Sequence, residues 1–281
     1  MLGARPPHAP ASNDQSPTLR SGSLIPFSDS SAPLRTFPIV KVSIIALTTL
    51  VFVYEVSLGG LGMLFGNAGG ELSAFFFRWG FIPEELTRGT PFTLPVAIRT
   101  PLPTEATIFS SMFIHGGFLH FAGNMMFLWV FGDNIEDRLG HLRFLIFYFV
   151  VGVVATLSHL LIDSHSQTPL VGASGAISGI MGAYLLLYPR NRVKVLVLFY
   201  IITVVEIQAF WLLGFWFLWQ LAQGVLSVGL SQSVDVAFFA HVGGFAAGAG
   251  LMAVYKTFFM GPGDDGPVAK QPGDYWYRTR R

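Results

Sequence analysis

The sequence predicts an all-α, polytopic membrane protein built as a bundle of six transmembrane helices, with both termini in the cytoplasm. Of its 281 residues, 52% are hydrophobic and 12% are charged, and this charged share is about half that of a soluble domain. Six apolar stretches approach the length needed to cross about 30 Å of hydrocarbon. This composition excludes a cytosolic enzyme and a disordered protein. The net charge of +1 gives no reason to expect nucleic acid as a partner.

Polar segments flank the apolar region on both sides. Residues 1–37 are rich in Ser and Pro and contain no apolar run, so we expect a disordered cytoplasmic tail and not a cleavable signal peptide. Residues 260–281 are expected to form a flexible cytoplasmic tail. Residues 38–259 between them form the predicted membrane domain.

The predicted spans are apolar stretches that contain almost no charged residues. The first is interrupted near its end by Glu55, which we expect to reach the outer interface. A shorter apolar stretch, 195–205, is predicted to lie at the interface or to lead into the fifth span. The loop after the first span is rich in Phe and Trp, which predicts a part-embedded interfacial element. The spans lie at or within 42–58, 108–132, 144–162, 170–188, 207–234 and 236–255.

The basic residues orient these spans, because Lys and Arg favour the cytoplasmic ends of membrane helices. If the N-terminus is cytoplasmic, all of the 17 Lys and Arg residues except Arg78, Arg88 and Arg99 fall on the cytoplasmic side. These three lie in the long loop after the first span. Both tails are therefore expected inside, and spans two, four and six all begin on the outer side.

Polar side chains near the starts of these three spans are candidate functional groups, because a polar group in lipid costs free energy. His120 and Asn124 lie on span two, Ser174 on span four and His241 on span six. Counted at 1.5 Å per residue, the serine and the two histidines lie about 20–24 Å from the inner ends of their spans. The four side chains can therefore meet at one depth below the outer surface.

These residue types can carry out nucleophilic acyl transfer. The Ser174 hydroxyl needs a neighbouring base, for which His241 is the candidate. The Asn124 amide, a His120 N–H and the backbone N–H of Ser174 could stabilise an oxyanion. A helix that starts at Ser174 would add free N–H groups and the positive end of its dipole.

Small residues recur every four positions on spans four and six. Gly175 and Gly179 do so on span four, and Gly244 and Gly248 do so on span six. Such faces let two membrane helices approach closely. We therefore expect these two spans to pack together and to bring the candidate serine and base into contact.

Four motifs in residues 38–258 resemble those of the rhomboid intramembrane serine proteases. The resemblance implies a rhomboid-like six-helix fold and a Ser174–His241 catalytic dyad, with His120 and Asn124 lining the oxyanion hole. It also implies that neither a metal nor another cofactor is needed. The motifs are His115-x4-His120-x3-Asn124, Glu136-Asp137-Arg138-Leu139-Gly140, Gly172-Ala173-Ser174-Gly175 and Ala240-His241-Val242-Gly243-Gly244-x3-Gly248.

The same resemblance implies a substrate class and a setting for the reaction. The expected activity is that of a serine endopeptidase, a hydrolase that cleaves the transmembrane segments of single-span membrane proteins near the outer face. Its expected partners are these substrates and the lipid bilayer. The absence of targeting segments and the short loops favour a bacterial cytoplasmic (inner) membrane.

The remaining motif residues have supporting roles. His115, Ser178, Gly172 and Gly175 could support the active site, and Gly244 and Gly248 form a structural motif. Glu136, Arg138 and Gly140 are expected to organise the inner turn after span two.

The orientation of His241 is left open by the sequence. Some family members carry an aromatic residue one helical turn after the nucleophile, where it stacks on the catalytic histidine, whereas this chain has Ser178 there. Ser178 could offer a hydrogen bond instead. Asp163 or Asp235, in predicted outer loops, could also orient the ring as in a catalytic triad.

Three other functions fit the sequence less well than proteolysis does. The alternative is a non-catalytic rhomboid-like protein that binds membrane helices, but such proteins lack the serine or the histidine, and both are present here. A channel or transporter is disfavoured because no repeat or pair of broken helices is visible. His115, His120 and Asn124 could form a metal or haem site, but they lack the His-Glu-x-x-His spacing.

Overall fold

The computed structural model describes residues 23–29, 34–65, 69–89, 100–198, 202–229 and 237–261. Within these ranges the chain is mostly helical, as predicted, and it also contains a small antiparallel sheet. The elements are β1 (Ser23–Asp29), α1 (Ile39–Gly59) with a 3-10 extension (Gly60–Phe65), α2 (Gly70–Trp79), α3 (Pro83–Arg88), a 3-10 turn (Thr104–Ala106), α4 (Thr107–Ser111), α5 (Phe118–Leu139), α6 (His141–Ile162), α7 (Ser174–Leu187), β2 (Arg192–Leu198), β3 (Ile202–Gln208), α8 (Ala209–Gly229) and α9 (Phe238–Phe259).

Four of the described helices are long and apolar enough to cross a membrane. They are α1 with its 3-10 extension, α6, α8 and α9. The other two predicted spans fall short by composition or length. The inner end of α5 carries Asp133, Glu136, Asp137 and Arg138, and α7 has 14 residues, which is about 21 Å of helix.

The sheet departs from the all-α prediction. Its strands lie in the order β1-β2-β3, and both pairs are antiparallel. The stretch 195–205 contributes to β2 and β3, apart from 199–201, which lie outside the described residues, and β3 leads directly into α8, the predicted fifth span. Val193 and Val195 are buried and Lys194 between them is exposed, which is the alternation of a strand with one covered face.

The predicted disordered tail also differs from the structure at Ser23–Asp29, which form β1. The free edge of β2 offers unpaired backbone groups to this segment, and the pairing runs from Ser23 opposite Leu198 to Asp29 opposite Val193. A strand added in this way depends on a distant partner. Local composition in the tail therefore did not reveal it.

Glu136 joins the N-terminal ends of α1 and α6 to the C-terminal end of α5. Its buried carboxylate accepts the backbone N–H groups of Val40 at 2.9 Å and Lys41 at 2.7 Å. The same carboxylate lies 2.6 Å from Nδ1 of His141. Gly140, with φ of +78°, makes the tight turn between α5 and α6. These contacts make the end of α5 an organised turn into α6.

The inner end of α7 is held by two further contacts. Arg138 donates through Nε to the Tyr188 hydroxyl at 3.4 Å. The Tyr184 hydroxyl donates to the carboxylate of Asp29, which also accepts a hydrogen bond from the Asn134 amide at 3.0 Å. These contacts anchor the C-terminal end of α7, and Ser174 lies at its opposite end.

Candidate functional site

Ser174 and His241 are in direct hydrogen-bond contact. Ser174 is the first residue of α7 and His241 lies in the first turn of α9. Their Oγ and Nε2 atoms are 2.7 Å apart. The two side chains that the sequence paired across 67 residues therefore meet, in the geometry that a nucleophile and its general base require.

The close packing of α7 on α9 allows this contact. A Cβ atom added to Gly244 would lie 2.2 Å from the carbonyl oxygen of Gly175, and one added to Gly248 would lie 1.9 Å from that of Gly179. The two backbones therefore touch without intervening side chains. The predicted faces of small residues are confirmed, and they set the spacing of the two helices just below the Ser174–His241 pair.

Gly172 lets the His120 ring approach Ser174. Its φ of +127° lies in the region that favours glycine, and its N–H donates to the Ser111 carbonyl at 2.9 Å. A Cβ atom at this position would lie 2.8 Å from both Cε1 and Nε2 of His120 and 3.6 Å from Ser174 Oγ. His120 therefore borders the serine only because residue 172 has no side chain.

The hydrogen bonds of His120 and Asn124 show which N–H groups of these side chains remain available to another acceptor. The backbone N–H of Gly116 donates to Nδ1 of His120 at 3.4 Å, so the ring proton of the neutral imidazole belongs on Nε2, the atom beside Gly172. The Asn124 amide donates to the His120 carbonyl at 2.8 Å. Since a primary amide has two N–H groups, one remains for another acceptor.

The start of α7 supplies backbone donors beside the serine. The first intrahelical bond at this end runs from the N–H of Ile177 to the carbonyl of Ala173, and the N-cap residue Ala173 has no capping side chain. The N–H groups of the first turn are therefore free of intrahelical partners. With the helix dipole they favour negative charge next to Ser174 Oγ.

His115 lies behind His120 in a buried polar cluster. Its ring is 5.1 Å from that of His120 and 5.7 Å from that of Phe121, edge-on in both cases, and it is fully buried. Glu55 accepts the backbone N–H of His115 at 3.1 Å and is fully buried as well. The prediction that Glu55 reaches the outer interface is therefore wrong, because this carboxylate is engaged inside the fold.

Sequence reasoning missed the residue that contacts the far side of His241. Oε1 of Gln220, on α8, lies 2.7 Å from Nδ1 of His241. The Ser178 hydroxyl donates to the Ser174 carbonyl at 2.6 Å and so bonds within its own helix. Asp163 ends α6 and is not the partner of Nδ1, while Asp235 lies outside the described residues. A Gln within an apolar span was the available signal, because polar side chains there are rare.

Together these groups form a site suited to acyl transfer. The Ser174 hydroxyl contacts the imidazole of His241 at the open end of a helix. The imidazole of His120 borders it across Gly172, and the amide of Asn124 donates to the His120 carbonyl. The hydroxyl can lose its proton to the His241 imidazole, and the donors can stabilise negative charge on a substrate oxygen.

Comparison with known proteins identifies relatives over the part of the chain that holds this site. A family model described as the rhomboid domain matches residues 104–258, more than half of the chain. RHOMBOID-like protein 5 of Arabidopsis thaliana is 32% identical over 148 residues, which are 50% of this chain and 41% of that protein. RHOMBOID-like protein 6, mitochondrial, of the same plant is 30% identical over 141 residues, 50% of this chain and 40% of that protein.

A bacterial relative carries the word protease in its name. Rhomboid protease GluP of Bacillus subtilis (strain 168) is 35% identical over 79 residues, which are 28% of this chain and 15% of that protein. This chain thus spans less than half the length of each of these three relatives. Because the relatives include plant and mitochondrial proteins, the expected bacterial cytoplasmic membrane is not supported. The apolar helices and the matched domain indicate an integral membrane protein.

Proposed function

This chain belongs to the rhomboid family, and from that premise we propose that it is an intramembrane serine endopeptidase. The proposed reaction is hydrolysis of a peptide bond in the transmembrane segment of a single-span membrane protein, near the outer face. The observation that supports it is the 2.7 Å contact between Ser174 Oγ and His241 Nε2. A packing serine has no need of a base at this distance.

Acylation begins at the serine. Nε2 of His241 takes the proton as Ser174 Oγ forms a bond to the scissile carbonyl carbon. The same nitrogen then returns the proton to the leaving amine, whose C–N bond breaks. Water attacks the resulting ester by the reverse sequence and regenerates the serine.

Negative charge on the substrate oxygen would be stabilised from the opposite side. The Nε2–H of His120, the free N–H of Asn124 and the backbone N–H of Ser174 are the proposed donors. Substrate must reach them as extended chain, because a helix keeps its carbonyls engaged. The free N–H groups at the start of α7 add to this positive environment.

The proposed membrane arrangement has six spans, with both termini cytoplasmic. In it α5 and α7 complete the bundle of residues 38–259 together with the four helices that are long and apolar enough to span. The charged inner end of α5 would then face the cytoplasm, where Glu136 and its neighbours meet water-accessible segments. The short α7 would begin below the outer surface, inside an enclosed polar cavity of the kind that protein walls permit at membrane depth.

Active-site labelling tests the proposed function. Detergent-purified protein is incubated with a fluorophosphonate probe, and the labelled residue is mapped by mass spectrometry. The proposal predicts labelling at Ser174, which Ser174→Ala and His241→Ala abolish without loss of thermal stability. Ser57→Ala serves as the matched control, because that exposed hydroxyl bonds only to the Tyr54 carbonyl of its own helix.

Cleavage in a bilayer completes the test. The protein is reconstituted into vesicles with reporter proteins that each carry one apolar transmembrane helix between two soluble tags. The wild-type protein should cut reporters within the membrane segment, and Ser174→Ala should not. Folded protein that binds such reporters but is neither labelled nor active would favour the non-catalytic alternative.

A further inference from the structure

His241 is held at both ring nitrogens, and the partner on the far side is Gln220. Oε1 of Gln220 lies 2.7 Å from Nδ1, while Nε2 lies 2.7 Å from Ser174 Oγ. Serine, imidazole and amide therefore form one continuous chain of hydrogen bonds across α7, α9 and α8.

The chemistry of the amide oxygen fixes the state of the ring. A carbonyl oxygen can only accept a hydrogen bond, so Nδ1 must carry the ring proton. In the neutral imidazole this leaves the lone pair on Nε2, where it faces the hydroxyl. That tautomer is the one that can remove the serine proton.

We infer that Gln220 is a positioning residue that completes a Ser174–His241–Gln220 triad with a neutral third member. This inference rests on the proposed function. The amide orients the imidazole and selects its tautomer, as the carboxylate does in a Ser-His-Asp triad. It does so without placing a further charge in the membrane, where an ionised side chain is costly.

A second contact from α8 supports this role. The Trp216 ring, one helical turn before Gln220, lies 6.0 Å from the His241 ring with 36° between their planes. Ser178, one helical turn after the nucleophile, bonds to the Ser174 carbonyl and so does not hold the imidazole. The helix α8 supplies both the ring and the acceptor.

The test separates hydrogen bonding from packing. Gln220→Met keeps nearly the same shape without the acceptor oxygen, and Gln220→Glu keeps an acceptor. Gln223→Met is the matched control, because it makes the same exchange on the same helix about one turn away. The inactivation rate constant at saturating fluorophosphonate and the probe concentration at half-saturation are measured separately for each protein, and thermal unfolding in the same detergent is measured beside them.

The expected result is a change in rate alone. Gln220→Met should lower the inactivation rate constant about tenfold, the effect of one lost hydrogen bond on a reacting group, with the half-saturation concentration unchanged. Gln220→Glu should react faster than Gln220→Met, and Gln223→Met should match the wild type.

Each contrary outcome overturns a distinct claim. Wild-type protein that is not labelled at Ser174 overturns the proposed function, and the role of Gln220 with it. Labelled wild-type protein with an equally fast Gln220→Met overturns the triad alone. If Gln220→Met and Gln220→Glu are equally slow, Gln220 acts through packing. If the half-saturation concentration changes in place of the rate constant, Gln220 acts on probe binding. Either result overturns the triad.

Discussion

Gly248 of α9 lies directly against the carbonyl of Gly179 of α7. A Cβ atom at position 248 would stand 1.9 Å from that oxygen and 2.4 Å from its carbon. Both neighbours are backbone atoms of a packed helix, so no flexible side chain can move aside. This contact is two helical turns below His241, and it therefore controls the distance between the base and Ser174.

Gly248→Ala should lower both stability and activity. The added methyl group forces α9 away from α7, and overpacking of this kind costs about 1–3 kcal/mol of unfolding free energy. The same shift lengthens the Ser174–His241 contact, so fluorophosphonate labelling should slow as well. Thermal unfolding in detergent and the labelling rate are measured together.

Gly250→Ala is the control for this exchange. It lies two residues further along the same helix, and a Cβ atom there meets nothing within 4 Å. Stability should be unchanged or slightly higher, since alanine favours a helix over glycine. Equal losses in the two variants would contradict the packing argument.

Gly172→Ala should impair the reaction more than the fold. A Cβ atom there would lie 2.8 Å from Cε1 and Nε2 of His120, so the imidazole must leave its place beside Ser174. Loss of one oxyanion donor lowers the rate about 100- to 1,000-fold. The labelling rate constant of Ser174 measures this effect.

Gly89→Ala controls for backbone strain in that experiment. Gly89 has a positive φ of +66°, and a Cβ atom there meets nothing within 4 Å. The variant therefore places a Cβ atom at a positive φ without a clash, although its left-handed helical conformation strains an alanine less than the φ of +127° at Gly172 does. If the two variants label Ser174 at the same rate, the displacement of His120 is not the cause.

The sequence predicted the parts of the site that lie on helices of one direction. In the prediction, Ser174 and His241 both follow the outer starts of their spans. The number of residues to the other end of each span gives the depth of the side chain, and the two depths agree. Gln220 escaped this reasoning because α8 runs in the opposite direction, so its depth is counted from the inner end. The 2.7 Å contact of Gln220 with Nδ1 of His241 places it at the level of the site.

The features of the fold that were not predicted from the sequence have a different cause. They depend on partners that are distant along the chain. β1 forms only where β2 offers an edge, and Glu55 is buried because the backbone of His115 supplies a hydrogen bond. Neither partner is close in sequence, so periodicity and composition could not reveal them. The helices that depend on local apolar character, such as α6 and α9, were predicted within a few residues.

Asn124→Asp should slow the reaction and also lower stability, because a buried carboxylate would replace the donor to the His120 carbonyl. The amide donates to the His120 carbonyl and has a second N–H for the oxyanion. An ionised carboxylate has the same shape and no donor, and the rate constant for labelling Ser174 should fall about 100- to 1,000-fold. Asn124→Ala removes the donor without adding charge, and its labelling rate constant should fall by a similar factor. Wild-type rates in the alanine variant would exclude Asn124 from the oxyanion hole.

Glu136→Ala should destabilise the inner half of the protein. The carboxylate receives the N–H groups of Val40 and Lys41 in the first turn of α1, where helical N–H groups have no partner of their own. Loss of the carboxylate leaves one buried and one part-buried N–H donor unsatisfied, at about 1–3 kcal/mol for the buried one.

Glu136→Gln distinguishes this capping role from a general need for charge. The glutamine keeps one acceptor oxygen for two N–H donors, so its loss of unfolding free energy should be about half that of Glu136→Ala. Glu71→Ala is the control, because that glutamate is exposed and its removal should change stability by about 0.5 kcal/mol or less. Thermal unfolding in the same detergent ranks the stabilities of the three variants and the wild type. If Glu136→Gln is as stable as the wild type, the two N–H groups do not both depend on the carboxylate, because one amide oxygen suffices.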